Sequence, residues 1–325
     1  MPVRLVVAVT DRDWFEHLRS RPEITEVNFW SPGTAPFRAL ERGELFFFKL
    51  HAPDNYIAGF GVFAHSNALP LPCSIAWDAF GDANGANTLE EMRTRIARYR
   101  HLPPDDRSDF PIGCRVLAPA YFFDEADWPE IPRDWARNIV SFKTYTTDDP
   151  EGLRLWNAAQ PYLQGAPLAD SLYLHASEPP PPPFIGTSQA PVGGWGEPAL
   201  IRPRLGQGAF RILVTDNYGR RCAVTGERTL PALEAAHIRP FAAHGLHDPR
   251  NGLLLRRDLH SLFDQGYVTV TPSHHFEVSR RIRDEFENGR DYYALQGKLI
   301  RIPDQETQRP DPQALNWHNV NRFLG

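Results

Sequence analysis

The first 120 residues carry their hydrophobic positions in short blocks broken by turn formers, the pattern of a compact, mostly β domain. Strands are expected at Leu5–Thr10, Glu26–Trp30, Glu44–Leu50, Ile57–Ala64 and Arg115–Ala118. The first is an apolar, β-branched run. The third and fourth are rich in aromatics and separated by the turn formers of His51 to Asn55. Helical spacing replaces strand spacing at Asp13–Arg19 and from Thr88 to about Arg100. Thr88 and Glu91 make a capping box there, and Met92, Ile96 and Tyr99 share one face. Ala76 to Gly85 reads either as a helix with its glycine stop or as the rim of a pocket. Leu153–Tyr162 is a further helix.

The second half changes rhythm. Pro179 to Pro183, followed by Gly186, Gly193, Gly194 and Gly196, predicts a linker, stiff at first and flexible after. A helix is expected at Phe210–Tyr218, then a short strand from Leu233 to Ile238. His244 to Asn251 is dense in turn formers and predicts a loop. Asp258–Asp264 predicts a helix with Leu254, Leu255, Leu259, Leu262 and Phe263 as its apolar face. Tyr267–Thr271 and His275–Val278 form a hairpin candidate. The expected division is therefore 1–175, a linker at 176–200, and 201–325, in an α+β chain.

Composition narrows the classes. At 325 residues there is room for two cores. No apolar run approaches bilayer length, so no membrane segment is expected. The apolar start, MPVRLVVAVTDRDW, lacks a longer hydrophobic region and predicts a first strand rather than a leader. Three widely separated cysteines, Cys73, Cys114 and Cys222, argue against a disulfide framework and point to the cytoplasm. The net charge is −5, unevenly divided along the chain. Residues 201–301 hold 16 Lys and Arg against 11 Asp and Glu, a surplus of +5, which leaves −10 for the remainder. The half with the catalytic candidates is the half able to meet phosphates.

Those candidates are His237 at a strand end, Asn251 in the loop, and His260 on the helix. His260 and Asp264 are four residues apart and share a helix face, where an imidazole and a carboxylate can hold one divalent ion. A neutral histidine can take a proton from water near pH 7. Taken alone, each residue also suits an ordinary structural role.

Together they lie in the frame Cys222-x-x-Thr225-Gly226, Ala236-His237-Ile238, Asn251-Gly252-Leu253-Leu254-Leu255 and Asp258-Leu259-His260-x-Leu262-Phe263-Asp264-x-Gly266. This frame resembles the HNH (ββα-metal) nuclease family. The resemblance implies that His237 activates water and that Asn251 braces the loop and orients that histidine. It implies that His260 binds a divalent ion, Mg²⁺ or Mn²⁺, with Asp264 as a further ligand. Many members place Asp or His immediately before the base; here Ala236 stands there. Glu234, on the strand face of Ala236, has no assured approach to the ion. Many members also hold a structural zinc with paired Cys-x-x-Cys motifs. Only Cys222 occupies such a position, so no structural zinc is expected. Arg204, Arg211, Arg256, Arg257 and Arg281 are candidate phosphate contacts, with surface solvation as the plainer reading.

The N-terminal half resembles the PUA-like superfamily, which includes the EVE and SRA readers of modified bases. The resemblance rests on Val27 to Pro32, Gly43 to Lys49 and the glycine-broken strand Ile57 to Phe63. It implies a β-barrel in which Trp30, Phe37 and Trp77 wall a pocket for a flipped base. The plainer reading makes these aromatics core residues. Reader and cutter together imply a modification-dependent restriction endonuclease acting on double-stranded DNA, with modified cytosine as the mark and a homodimer for cutting both strands. The alternatives are an HNH nuclease with a homing, phage or toxin role, and a non-catalytic nucleic-acid-binding protein.

Overall fold

A computed structural model describes residues 2–103, 105–163, 198–240 and 247–325. Most of the expected linker, and His244, lie outside the described residues. The chain forms two compact units, Met1–Arg204 and Leu205–Gly325. Residues 201–204 group with the first: the Ile201 N–H donates to the Gly43 carbonyl and that of Arg204 to the Ala118 carbonyl, each at 2.9 Å.

The first unit runs β1 (Arg4–Thr10), α1 (Arg12–Arg19), β2 (Val27–Asn28), β3 (Leu45–Leu50), β4 (Ile57–Ser66), β5 (Leu71–Pro72), α2 (Cys73–Phe80), α3 (Leu89–Tyr99), β6 (Pro111–Ile112), β7 (Arg115–Phe122), β8 (Phe142–Thr146) and α4 (Pro150–Leu163). Six strands make one sheet in the order β2-β7-β4-β3-β1-β8, with β1 parallel to β3. Every residue of β3 is buried. Leu45 and Phe47 face a core with Leu5, Val7 and Phe60, covered by Leu155, Trp156 and Ala159 of α4. Phe46 and Phe48 face a second core with Val6 and Ala8, covered by Trp14, Phe15 and Leu18 of α1. A strand covered on both faces reads as a continuous apolar run, which is why this stretch shows no alternation.

The expected barrel is not closed among the described residues. β2 and β8 are the two edges and do not pair. The Glu26–Trp30 block yields a strand of only two residues, Val27–Asn28. Asn28 is buried and donates to Asn84 Oδ1 at 2.9 Å, and Trp30 turns its Nε1 to the Asn84 carbonyl at 3.0 Å. These anchors add to backbone pairing that runs on past the strand, from the Phe29 N–H to the Arg115 carbonyl at 2.8 Å and through the Ser31–Gly113 bridge. The glycine break in β4 serves strand packing: a Cβ on Gly59 would stand 2.3 Å from the Tyr121 carbonyl of β7.

The second unit contains α5 (Gln207–Asn217), β9 (Leu233–His237), β10 (Gly252–Arg256), α6 (Arg257–Asp264), β11 (Val268–Val270), β12 (Phe276–Val278), α7 (Arg281–Phe286), α8 (Arg290–Tyr293) and α9 (Pro312–Asn321). β9 pairs antiparallel with β10, and Phe210, Ala236, Leu253, Leu255, Leu259, Phe263 and Leu315 share one core. Leu254 and Leu255, expected on the α6 face, belong to β10. A short apolar run suits helix or strand equally, and here the β9 partner decides. The β11–β12 hairpin falls where the turn signals place it, and the tail forms α9. Among the described residues no helix is long and apolar enough to cross a membrane.

Candidate active site

The site is a ββα unit backed by α5. In the β9–β10 register His237 lies opposite Gly252. A Cβ at Gly252 would come within 2.5 Å of Val214 and 2.9 Å of Phe210. Glycine therefore lets α5 lie close beneath the hairpin end, and Phe210 stacks on the His237 ring at 3.8 Å between centroids and 9° between planes. His237 Nε2 lies 3.1 Å from His247 Nδ1. Burial foremost, with His247 and His260 nearby, pushes the His237 pKa down to about 4, so the ring is neutral at pH 7.

Asn251 is buried and closes the segment after His237. Its Oδ1 accepts from the Arg239 N–H and its Nδ2 donates to the Arg239 carbonyl, both at 2.9 Å, while its own carbonyl accepts from Ile238 at 2.9 Å. These bonds fix the backbone two residues beyond His237.

α6 carries His260 across the hairpin. Its Nδ1 lies 2.8 Å from Glu234 Oε2 and its Nε2 3.2 Å from Asp264 Oδ2. Burial opposes charge on this ring, but hydrogen bonds to Asp264 and Glu234 outweigh it and raise the pKa. Glu234 also pairs with Arg257 at 3.0 Å. A cleft of about 580 Å³ brings together Arg211, Glu234, His237, His260, Asp264 and Arg322.

One imidazole beside carboxylates is a donor set for a hard divalent cation. The two nitrogens of His260 face different carboxylates, so a single ion takes one of them. Nε2 and Asp264 are spaced as ligands of one ion would be, given that two donors each about 2.1 Å from an ion stand about 3 Å apart. Glu234 then fixes the ring from its other nitrogen, as carboxylates do behind ligating imidazoles. Among the described residues no group of three His, Cys, Asp or Glu is placed to hold an ion. An ion held there by these two residues alone would leave its remaining positions to other ligands such as water.

The candidate cations divide. Arg211 lines the cleft. Arg256 is paired with Asp258 at 2.6 and 2.9 Å, and Arg281 with Glu285 at 2.5 Å. Arg204 lies in the other unit. Arg322 at the cleft, His247 beside His237 and Glu234 beside His260 carry no clear sequence signal, because their partners come from other elements. Cys222 is fully buried in the core of this unit.

The three reader candidates are not brought together as pocket walls. Trp30 is buried, with its N–H on Asn84 and its ring edge-on to Tyr99. Phe37 is buried among Phe46, Phe63 and Phe142. The cavity that Phe37 lines, about 10 Å³, has room for a water and none for a base. Trp77 is half-buried on α2. The Arg115 guanidinium already lies over the Phe37 ring, 4.8 Å from its centroid.

Residues 222–271 match the HNH endonuclease family. Among solved structures the chain is similar to a modification-dependent TagI restriction endonuclease, at 20% identity and a TM-score of 0.28, over 36% of this chain and 38% of that one. It is also similar to two variants of the ZmASCH protein from Zymomonas mobilis. These are 8% and 9% identical, with TM-scores of 0.31 and 0.30, over 47% of this chain and 94% and 96% of theirs. None of the curated proteins compared matches the chain. The segment that carries His237, Asn251 and His260 is thus an HNH endonuclease domain.

Proposed function

We propose that the protein is a metal-dependent DNA endonuclease of the modification-dependent restriction type, in which the second unit cuts DNA selected by the first. The observation that carries the cutting is the shared cleft: a neutral His237 and a carboxylate-flanked His260, both in the HNH-matching segment, open on one space. A neutral His237 accepts the proton of a water as it attacks phosphorus. Asn251 keeps the strand end, and so that ring, in place. His260 Nε2 and Asp264 are the residues to hold a divalent ion, with Glu234 setting the imidazole's orientation. When bound, such an ion neutralises charge on the phosphate and on the leaving oxygen. Arg211 and Arg322 meet the flanking phosphates.

Selection by the first unit rests on its PUA-like sequence rhythm and on the proline-rich connection at 178–183. A tether of that kind suits a protein that binds at one place and cuts nearby. A duplex has two strands and each cleft serves one, so double-strand cleavage calls for two copies. The reading as a non-catalytic binder rests on Ala236. It loses weight because Glu234, two residues earlier, brings a carboxylate to His260.

Matched duplexes carrying cytosine, 5-methylcytosine, 5-hydroxymethylcytosine or glucosylated cytosine, incubated with Mg²⁺ or Mn²⁺, test the whole reading. One modified duplex should be cut at least tenfold faster than the plain one, and EDTA should stop cutting. Equal cutting of all four would leave a nuclease without a modification reader. Cutting undiminished in EDTA would remove the ion.

A further inference from the structure

We infer that His247 is the positioning residue that makes His237 a base, by accepting the Nε2 hydrogen of His237 on its own Nδ1. The inference rests on the reading of His237 as the proton acceptor and assigns the device that sets its tautomer. Two neutral imidazoles meet edge to edge, His237 Nε2 to His247 Nδ1 at 3.1 Å. A neutral imidazole carries a single N–H. Two lone pairs facing each other at this distance would repel, so one ring donates.

The direction of donation decides the chemistry. If His237 donates, its hydrogen sits on Nε2 and its Nδ1 keeps the lone pair. Nδ1 has no hydrogen-bond partner among the described residues, so it can accept from water. If His247 donates, the hydrogen of His237 is forced onto Nδ1 and the ring has no lone pair left for the reaction. A histidine base needs its second nitrogen held by an acceptor. Among the described residues no carboxylate or carbonyl hydrogen-bonds the ring: Phe210 offers an apolar face, and His260 and Asp264 act only through space. His247 is the single hydrogen-bonding side chain that touches it among the described residues. The stack on Phe210 fixes the plane of the ring; the bond to His247 fixes its rotation within that plane. During the reaction the proton leaves water for Nδ1, and the transient imidazolium keeps its Nε2–H on His247.

The test uses full-length protein labelled with ¹⁵N-histidine, with long-range ¹H–¹⁵N spectra at pH 7.5 and the His237 signals assigned by His237→Gln. In the wild type His237 should be a single Nε2–H tautomer. His247→Phe keeps a ring but removes the acceptor. It should release His237 into a tautomer mixture and slow nicking of 5-methylcytosine-bearing supercoiled plasmid in Mn²⁺ by ten- to a hundredfold at saturating enzyme, without altering DNA affinity. His247→Asn, whose amide oxygen can stand near the Nδ1 position, should restore the tautomer and recover the rate to within about fivefold. An Nδ1–H tautomer in the wild type overturns the inference. So does a His247→Phe protein with unchanged tautomer and rate. If His237→Gln itself nicks normally, the base assignment fails, whatever the tautomer. If His237→Gln is dead while His247→Phe is fully active, the base stands and His247 loses its role.

Discussion

At the scale of single residues, burial keeps two histidines of the second unit, His237 and His318, neutral. His318 is buried and stacks on Phe263 at 3.7 Å. Its Nε2 donates to the Phe263 carbonyl at 3.0 Å, so its Nδ1 accepts from the Thr269 hydroxyl at 2.8 Å. Burial pushes its pKa down to about 4, against smaller upward pulls from the Phe263 carbonyl and Asp264. An unfolded histidine binds a proton near pH 6.5. Between about 6.5 and 4 the proton therefore favours the unfolded chain. Stability is full above pH 6.5 and falls as pH drops through that window, by on the order of 3 kcal/mol for such a residue. Urea unfolding at pH 7.5 and pH 5 should show this loss, and His318→Phe should reduce it. Asn251 works through its amide. Asn251→Ala removes both hydrogen bonds to the Arg239 backbone and should cost about 1 to 3 kcal/mol by the same measurement.

At the scale of elements, the site depends on how closely α5 approaches the β9–β10 hairpin. Gly252→Ala forces a methyl into Phe210 and Val214 and should destabilise the unit by about 1 to 3 kcal/mol. Because Phe210 also carries the His237 ring, nicking should fall further than the lost stability explains, measured below the unfolding midpoint. This level shows what the sequence makes legible. His237, Asn251 and His260 could be picked out because strand, loop and helix follow one another within one short stretch, and their spacing survives folding. His260 and Asp264 meet by helix periodicity alone. Glu234 and His247 are hard to read from sequence for the opposite reason. Each finds its partner across a hairpin or from a loop, and no local pattern records such a meeting. Leu254 and Leu255 went to the wrong element because an apolar run of that length carries no period. Trp30 and Phe37 are aromatic wherever they end up. Only the fold shows that their faces are already covered.

At the scale of the whole molecule, charge division and a proline-rich stretch suggest parts at 1–175 and 201–325, and the compact units are Met1–Arg204 and Leu205–Gly325. The basic surplus of the second does not convert directly into DNA contacts, since Arg256 and Arg281 are neutralised by Asp258 and Glu285. Phosphate contact then falls to the cleft. Arg322→Ala should weaken DNA binding by full-length protein about three- to tenfold, and should lower the slope of log affinity against log salt by about one. Fluorescence anisotropy across a salt series reads both. The sheet of the first unit was legible in its long strands, β1, β3, β4 and β7. Its openness was not, because closure depends on whether edge strands find partners.

The most direct measurement of the central claim is nicking of supercoiled plasmid by wild-type, His237→Ala and His260→Ala proteins, each with Mn²⁺ and with EDTA, alongside DNA affinity for all three. The account predicts metal-dependent nicking by the wild type. It predicts loss of at least a hundredfold in His237→Ala, with affinity within about threefold of wild type. His260→Ala should also be lost, in part recoverable by raising Mn²⁺. Undiminished nicking by His237→Ala would contradict the account, because the cleft would then have no base.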